Sequence, residues 1–155
     1  MFRIIFICTG NICRSPMAEG ILKHRWFHGP RHPSLHVSSM GNHGLDNRPP
    51  SSLALEVCEE NGIDISMHRS RSIVGDEIGS ADLILTMELV QKEYLLLFFP
   101  KRSDAISLLG SWPGKQKKAG EIADPIGGTI HDFRKTFTKI SQAVDRIIPE
   151  LEHLV

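Results

Sequence analysis

Short apolar runs alternate along the chain with longer segments of helical spacing. Residues 2–8 are almost wholly apolar and rich in β-branched side chains, which predicts a buried strand. Residues 35–39 alternate between apolar and polar positions and predict a second, short strand. The apolar runs 81–87 and 104–109 predict a third and a fourth strand.

The segments between these strands carry helical patterns. Apolar residues recur every three or four positions over about 16–28, and a second helix is predicted over 52–61, with Gly62 as its stop. Residues 88–98 are apolar nearly all round, which favours a helix deep in the core over one with an exposed partner surface. Strands that alternate with helices imply an α/β protein with a parallel sheet and helices on both faces.

The last predicted helix opens at Thr129, where Asp132 completes a capping-box pattern. Pro149 is expected to end or kink this helix, because proline cannot donate the backbone hydrogen bond of a helix interior. The apolar stripe of the helix consists of Ile130, Phe133, Phe137, Ile140, Val144 and Ile147.

The first predicted strand runs directly into a loop that suits an anion. Cys8 ends the strand, and Ser15 followed by Pro16 predicts an N-cap and a first helical turn. The free N–H groups and the dipole of that helix point into the loop. Gly10 is expected to supply the positive φ of a nest of N–H groups, and Asn11 to hold the turn through its own backbone.

Two side chains of this loop carry chemistry. The guanidinium of Arg14 matches two oxygens of a phosphate group. Since a helix N-terminus and a nearby arginine favour the ionised thiol, Cys8 is expected to be a thiolate at neutral pH. A thiolate beneath a bound phosphate is positioned for in-line attack on phosphorus.

Composition narrows the possible partners. The 155 residues predict one domain, and the balance of 18 Lys and Arg against 18 Asp and Glu leaves no global basic surface for nucleic acid. No apolar run approaches the roughly 18 residues of a membrane span, and the first run lacks the small-residue cleavage site of a signal peptide. Three cysteines, two of them in one loop, do not suggest a secreted disulfide framework, so we expect a reducing cytoplasm.

Four histidines recur at every fourth position and raise the question of a metal site. Glycine and proline residues between positions 29 and 33 would break any helix that aligned them, so we expect no metal site. The histidines are His24, His28, His32 and His36.

The pattern Cys8-x5-Arg14-Ser15-Pro16, with Asn11 and Cys13 inside the loop, resembles the low-molecular-weight protein tyrosine phosphatases. The resemblance covers nearly the whole chain. It implies a single domain over 1–155, with a three-layer α/β/α fold of the phosphotyrosine protein phosphatase I-like type and a four-stranded parallel sheet. The implied phosphate-binding residues are Thr9, Gly10, Asn11, Ile12, Cys13, Arg14 and Ser15.

The same resemblance implies a mechanism without a metal or a cofactor. Cys8 attacks phosphorus and forms a phosphocysteine, Arg14 stabilises the transferred charge, and Asp124 of the Asp124-Pro125 pair protonates the leaving oxygen. Ser15 is implied to bond the cysteine sulfur and to help it leave. Cys13 is implied to form a reversible disulfide with Cys8 that switches activity off.

Three branches of the family share these residues. Ile12 favours a flat phosphotyrosine ring, so phosphotyrosine in proteins is the expected substrate. Ile126-Gly127-Gly128 resembles the protein arginine phosphatase branch, so phosphoarginine is the alternative. The loop over 40–50, which often carries an aromatic substrate wall in the family, has no aromatic residue unless His43 serves. Thiol-coupled arsenate reduction needs late cysteines, and none follows Cys58.

A non-catalytic phosphate-binding module is a fourth alternative, although it would normally lack one of Cys8, Arg14 and Asp124. The partners implied for the phosphatase are phosphorylated proteins and a tyrosine kinase, with no nucleic acid or membrane. The expected state of the chain is a monomer or a weak dimer.

Overall fold

The computed structural model describes residues 1–29 and 34–155. Its four strands form one parallel sheet in the order β2-β1-β3-β4. The strands are β1 (Phe2–Cys8), β2 (Leu35–Gly41), β3 (Leu83–Thr86) and β4 (Ile106–Leu108). The helices are α1 (Arg14–Phe27), α2 (Ser52–Glu60), α3 (Gly75–Ser80), α4 (Leu89–Phe98) and α5 (Ile130–Leu154).

Strand β1 occupies an inner position because its side chains are apolar on both faces. Ile4 and Phe6 pack into a core with α1, α2 and α5, whereas Ile5 and Ile7 pack on the other face with residues of α3 and α4. The sheet is thus the middle of three layers, and the predicted α/β/α architecture with a four-stranded parallel sheet is confirmed.

The ends of two helices differ from the sequence expectation. Helix α1 begins at Arg14, so Ser15 lies inside the first turn and Cys13 holds the N-cap position. Helix α5 continues through Pro149 to Leu154, so the proline does not end the helix. Leu151 is fully buried beyond the proline, so packing holds the last turn despite one missing backbone hydrogen bond.

Helix α4 is far less buried than its composition suggests. Only Gln91 and Leu95 are buried, and Leu97 and Phe98 are 78% and 63% exposed. The expectation of a deep core helix is therefore wrong for the outer face. The short layer of α3 and α4 covers the sheet through a few apolar side chains, and it leaves α4 open to solvent on the other side.

Two predicted features of α2 and α5 hold in the structure. Gly62, directly after the α2 C-cap, has a φ of 73°, which is the conformation that favours glycine at a helix end. Thr129 and Asp132 form a capping box at the start of α5. The predicted apolar stripe of α5 packs against the core.

Candidate active site

The loop of residues 8–15 lies at the carboxyl end of β1, where the strand order places β2 on one side of β1 and β3 on the other. Ligands bind at such a switch point in open α/β sheets. Cys8 is almost fully buried, and its Sγ lies 2.9 Å from the Oγ of Ser15. This is the contact that the family resemblance implies for the Ser15 hydroxyl, whereas the expected N-cap position is held by Cys13.

Asn11 is the residue that supports the loop. Its φ is 58°, so the positive φ expected at Gly10 occurs at Asn11; among the described residues, Gly62 and Gly127 are the glycines with positive φ. The Asn11 side chain is fully buried and does not bond its own backbone. Its Nδ2 donates to Ser15 Oγ at 2.8 Å and to Ser39 Oγ at 2.9 Å.

The Ser15 hydroxyl connects Asn11 to the nucleophile. Ser15 Oγ accepts from Asn11 Nδ2, and it donates to Cys8 Sγ when Cys8 is a thiolate, because a thiolate has no proton to give. The backbone of Asn11 is held as well, since its carbonyl accepts from His68 Nε2 at 2.7 Å. The Asn11 Oδ1 accepts from the backbone N–H of Arg71 at 3.0 Å.

Arg14 is 1% exposed and lies among oxygen atoms. Its Nη1 donates to the carbonyl of Ile122 at 2.7 Å and lies 3.1 Å from Glu88 Oε1. Its Nη2 lies 3.4 Å from Asp124 Oδ2. The Nε is buried and donates to no described residue, so at least this N–H remains for an oxyanion.

Asp124 reaches this place through the segment that follows β4. The Ile122 N–H donates to the Met87 carbonyl at the end of β3, which holds the segment beside the loop. Asp124 Oδ1 accepts from the N–H of Ile126 at 3.1 Å. The Asp124 side chain, next to Arg14, is 35% exposed, and Ile126 is 58% exposed, so both side chains reach the solvent.

Residues of α4 contribute contacts that the sequence did not indicate. Gln91 is buried, and its Nε2 donates to Thr9 Oγ1 at 3.1 Å. Its Oε1 accepts from the N–H groups of Met87 and Glu88, both at 2.9 Å. Glu88 is also an acidic neighbour of Arg14. In the sequence, only the position of Glu88 directly after the predicted third strand indicates that it could lie near Arg14.

Cys13 and Ile12 connect the loop to α2. Cys13 Sγ donates to Ser51 Oγ at 3.3 Å, and the Ile12 carbonyl accepts from the Ser51 N–H at 2.9 Å. Burial raises the pKa of the Cys13 thiol to about 11, although the bond to Ser51 opposes this. The side chain of Ile12 is half-buried, and Gly10 is half-buried beside it. All three cysteines of the chain are free.

An aromatic cluster borders the Thr9 end of the loop. The N–H of His43 donates to the Thr9 carbonyl, and the His43 ring lies 5.2 Å from the ring of Tyr94 in an edge arrangement. Tyr94 in turn lies 5.1 Å from Phe98. The sequence pattern indicated His43 but not Tyr94, because the pair forms only when α4 folds beside the 40–50 loop.

Within residues 1–29 and 34–155, no group of three or more His, Cys, Asp and Glu side chains is arranged to hold a metal ion. The rings of His24 and His28 stack with their centroids 4.6 Å apart, and His32 lies outside the described residues. None of the helices described combines the length and the apolar composition that crossing a membrane requires.

A family model and a curated relative match nearly the whole chain. The family model described as low molecular weight phosphotyrosine protein phosphatase matches residues 3–154. A curated relative, the probable low molecular weight protein-tyrosine-phosphatase EpsP of Ralstonia nicotianae, is 33% identical over 151 residues, which are 97% of each chain.

Solved structures are similar over nearly the whole chain. A low molecular weight protein tyrosine phosphatase from T. tengcongensis has a TM-score of 0.88 and 34% identity, over 97% of this chain and 99% of its own. The YwlE arginine phosphatase of Geobacillus stearothermophilus has a TM-score of 0.89 and 32% identity, over 99% of this chain and 94% of its own.

Proposed function

We propose that this chain hydrolyses phosphotyrosine in proteins with Cys8 as its nucleophile, because it belongs to the low molecular weight phosphotyrosine protein phosphatase family. The observation that carries this proposal is the position of Cys8 Sγ, at the end of β1 and 2.9 Å from Ser15 Oγ. The amides that begin α1 and the Arg14 fork surround the place where a phosphate would bind.

The first step transfers the phosphoryl group to the enzyme. The Cys8 thiolate attacks phosphorus, the bond from phosphorus to the phenolic oxygen breaks, and protonated Asp124 gives its proton to that oxygen. The guanidinium of Arg14 and the loop N–H groups bind the equatorial oxygens and stabilise their charge in the transition state.

The second step releases phosphate. The Asp124 carboxylate takes a proton from water, the water oxygen attacks phosphorus, and the bond from phosphorus to sulfur breaks. The Ser15 hydroxyl donates a hydrogen bond to the thiolate that leaves, which lowers the barrier of this step. Arg14 and Asp124 supply the charge stabilisation and the proton, so we infer that no step needs a metal.

An aromatic substrate is favoured by the rings beside the loop. His43 and Tyr94 present an aromatic edge next to Thr9, and Ile12 adds a half-buried apolar side chain. We infer that these residues contact the phenyl ring of phosphotyrosine, because aromatic rings pair edge to face. Ile126 would contact the substrate from the opposite, exposed side.

A second candidate substrate is phosphoarginine. The acid loop carries no aromatic residue near Asp124, and Gly127 adopts a φ of 80° that leaves its outer side open. An open loop of this kind suits an extended guanidinium chain as well as a ring. The similarity to the arginine phosphatase of Geobacillus stearothermophilus supports the same alternative.

Phosphate release from matched phosphotyrosine and phosphoarginine peptides tests both candidates. We expect faster release from phosphotyrosine, loss of turnover in Cys8→Ser, and a decrease of about 10²–10⁴-fold in Asp124→Asn. Tyr94→Leu should raise KM for the phosphotyrosine peptide alone. Faster release from phosphoarginine would make phosphoarginine the substrate. If neither peptide were hydrolysed in a way that depends on Cys8, the proposal that this chain is a phosphatase would be overturned.

We further propose that Cys13 protects Cys8 from overoxidation. Peroxide oxidises the Cys8 thiolate to a sulfenic acid, Cys13 sulfur displaces water and forms a disulfide, and an added thiol reduces it. The raised pKa of Cys13 makes this condensation slow at neutral pH. Recovery by thiol after peroxide should be lost in Cys13→Ser and kept in Cys58→Ser; equal recovery in both variants would contradict the role.

The proposed substrates are phosphorylated proteins, and a tyrosine kinase is the class of enzyme that must supply them. We infer a monomer or a weak dimer, because the exposed apolar side chains of α4, such as Leu97 and Phe98, offer one surface for self-association, and we infer a reducing cytoplasm, because the cysteines are free. Sedimentation velocity over a range of concentrations would test the oligomeric state.

A further inference from the structure

A polar cleft of about 500 Å³ lies at the outer edge of β2, and the phosphatase mechanism does not use it. Its lining comes from β1, α1, β2, α3 and the segment over 67–71. Four arginine and lysine side chains line it against two glutamates, and His36 and His68 add titratable rings. A cleft of this size accommodates a small molecule.

Part of the positive charge in this cleft has no acidic partner in contact. Arg71 forms a two-point ion pair with Glu77, at 2.7 and 2.8 Å, and Lys23 pairs with Glu19 at 2.6 Å. Among residues 1–29 and 34–155, the groups that accept from Arg69 are backbone carbonyls. Among the described residues, no carboxylate lies within salt-bridge distance of the exposed guanidinium of Arg3.

The electrostatics of Glu77 show that the cations converge. The pKa of its carboxyl is lowered, first by the hydrogen bonds from Arg71, next by the charge of Arg71, and least by the charges of His36 and Arg3, while burial opposes the shift. Three cationic or titratable groups on separate elements therefore act on one carboxylate. An excess of positive charge in a concave site attracts anions.

We propose that this cleft binds a small anion with several phosphate groups, held by Arg3, Lys23, Arg69 and His36. A single phosphate would not fill a cleft of this volume or reach cations on three elements. A chain of phosphates meets them together, and each contact is a charge-assisted hydrogen bond. The proposal does not depend on the reaction that Cys8 performs.

The cleft also adjoins the support of the phosphate-binding loop. Ser39, His68 and Arg71 line it, and each of these residues hydrogen-bonds Asn11. Ser39 Oγ also donates to Glu19 at 2.7 Å, and Glu19 pairs with Lys23. A ligand that draws Lys23 or Arg71 toward itself changes these contacts, so we infer that it alters turnover.

Titration with inorganic tripolyphosphate, followed by amide NMR shifts, tests the binding. We expect saturable shifts at residues 36–39 and 69–71, and an affinity about tenfold lower in Arg3→Gln/Lys23→Gln. The control Lys101→Gln/Lys115→Gln removes two exposed charges elsewhere and should bind as the wild type. Orthophosphate should bind these amides about tenfold more weakly than tripolyphosphate.

Two results would overturn the site. The first is the lack of saturable shifts at these amides. The second is equal weakening in both double variants, which would mean that only the overall charge matters. Equal affinity for orthophosphate and tripolyphosphate would overturn the choice of a multivalent ligand.

Steady-state kinetics tests whether a ligand in the cleft alters turnover through the residues that hydrogen-bond Asn11. This test rests on the proposed function. At saturating substrate, tripolyphosphate no longer competes with the substrate for the phosphate-binding loop. A change in kcat on adding tripolyphosphate therefore results from binding in the cleft. We expect the change in the wild type and in the control, and not in Arg3→Gln/Lys23→Gln. A constant kcat in all three would overturn the link, while the NMR shifts would still report binding.

Discussion

At the scale of single residues, Asn11 organises the nucleophile without being in contact with it. It donates to Ser15 Oγ, which lies 2.9 Å from Cys8 Sγ. A buried network of this kind is stable only when each polar atom has a partner, and Ser39 and Arg71 complete it.

Ser15→Ala tests the bond to sulfur. We expect kcat to fall by about tenfold or more, because a hydrogen bond to a charged group contributes about 1.5–3 kcal/mol. Steady-state kinetics with an aryl phosphate measures the effect, and urea unfolding shows whether the fold is kept. Ser103→Ala, at an exposed position, is the matched control. A kcat equal to that of the control would contradict the role of Ser15.

The buried thiol of Cys58 links stability to pH. Burial raises the pKa of Cys58 from 9.0 to about 12. The folded protein therefore keeps this proton at a pH where the unfolded chain has lost it. The folded state binds more protons, so this contribution is complete below pH 9 and is lost as pH rises toward 12.

Unfolding by urea at several pH values tests this linkage. The free energy of unfolding of the wild type should fall more steeply above pH 9 than that of Cys58→Ala, by at most about 1.4 kcal/mol per pH unit. The comparison of the two slopes removes the effect of lysine and tyrosine titration. Parallel pH profiles would show that Cys58 ionises equally in both states.

At the scale of elements, the starts of α1 and α2 are joined through one serine. Ser51 Oγ caps α2 by accepting from the Ala54 N–H at 3.3 Å, and it accepts from Cys13, the N-cap residue of α1. Its N–H donates to the Ile12 carbonyl. The phosphate-binding loop is therefore anchored to α2 as well as to β1.

Ser51→Ala should destabilise the protein by about 1 kcal/mol, since α2 loses its cap. Ser52→Ala, at the exposed next position, lacks such a bond and should have little effect. Urea unfolding of the two variants provides the measurement. If Ser52→Ala were as destabilising as Ser51→Ala, the cap would not be the cause.

At the scale of the whole molecule, the strand order brings distant segments to one edge. Because β3 lies beside β1, the segment that follows β4 passes next to the loop at residue 8, and Asp124 lies 3.4 Å from Arg14. The proposed nucleophile and acid thus come from opposite ends of the chain.

Removal of divalent metals should leave turnover unchanged, because Arg14 and Asp124 are proposed to perform the roles that a metal would otherwise have. Activity with excess EDTA, compared with activity after dialysis against Zn²⁺ and Mg²⁺, tests this. A loss of activity in EDTA that a divalent cation restored would contradict the proposed mechanism.

The sequence by itself determined the features that depend on local patterns. The apolar runs predicted four strands, and the cysteine loop with Arg14 pointed to an anion at the end of β1. The capping box of α5 and Gly62 were predicted because a helix end depends on a few adjacent residues. Asp124 was selected by the Asp-Pro pair before the last helix, and its catalytic role stays a prediction.

Only the tertiary structure decided the features that depend on contacts between distant segments. The positive φ falls on Asn11 because partners from β2 and the 68–71 segment hold its side chain and backbone. Helix α4 is exposed because few side chains of its layer reach the sheet, and α5 passes Pro149 because burial of Leu151 holds its last turn. These contacts join residues that are far apart in the sequence and share no helical or strand spacing, so the pattern along the chain could not predict them.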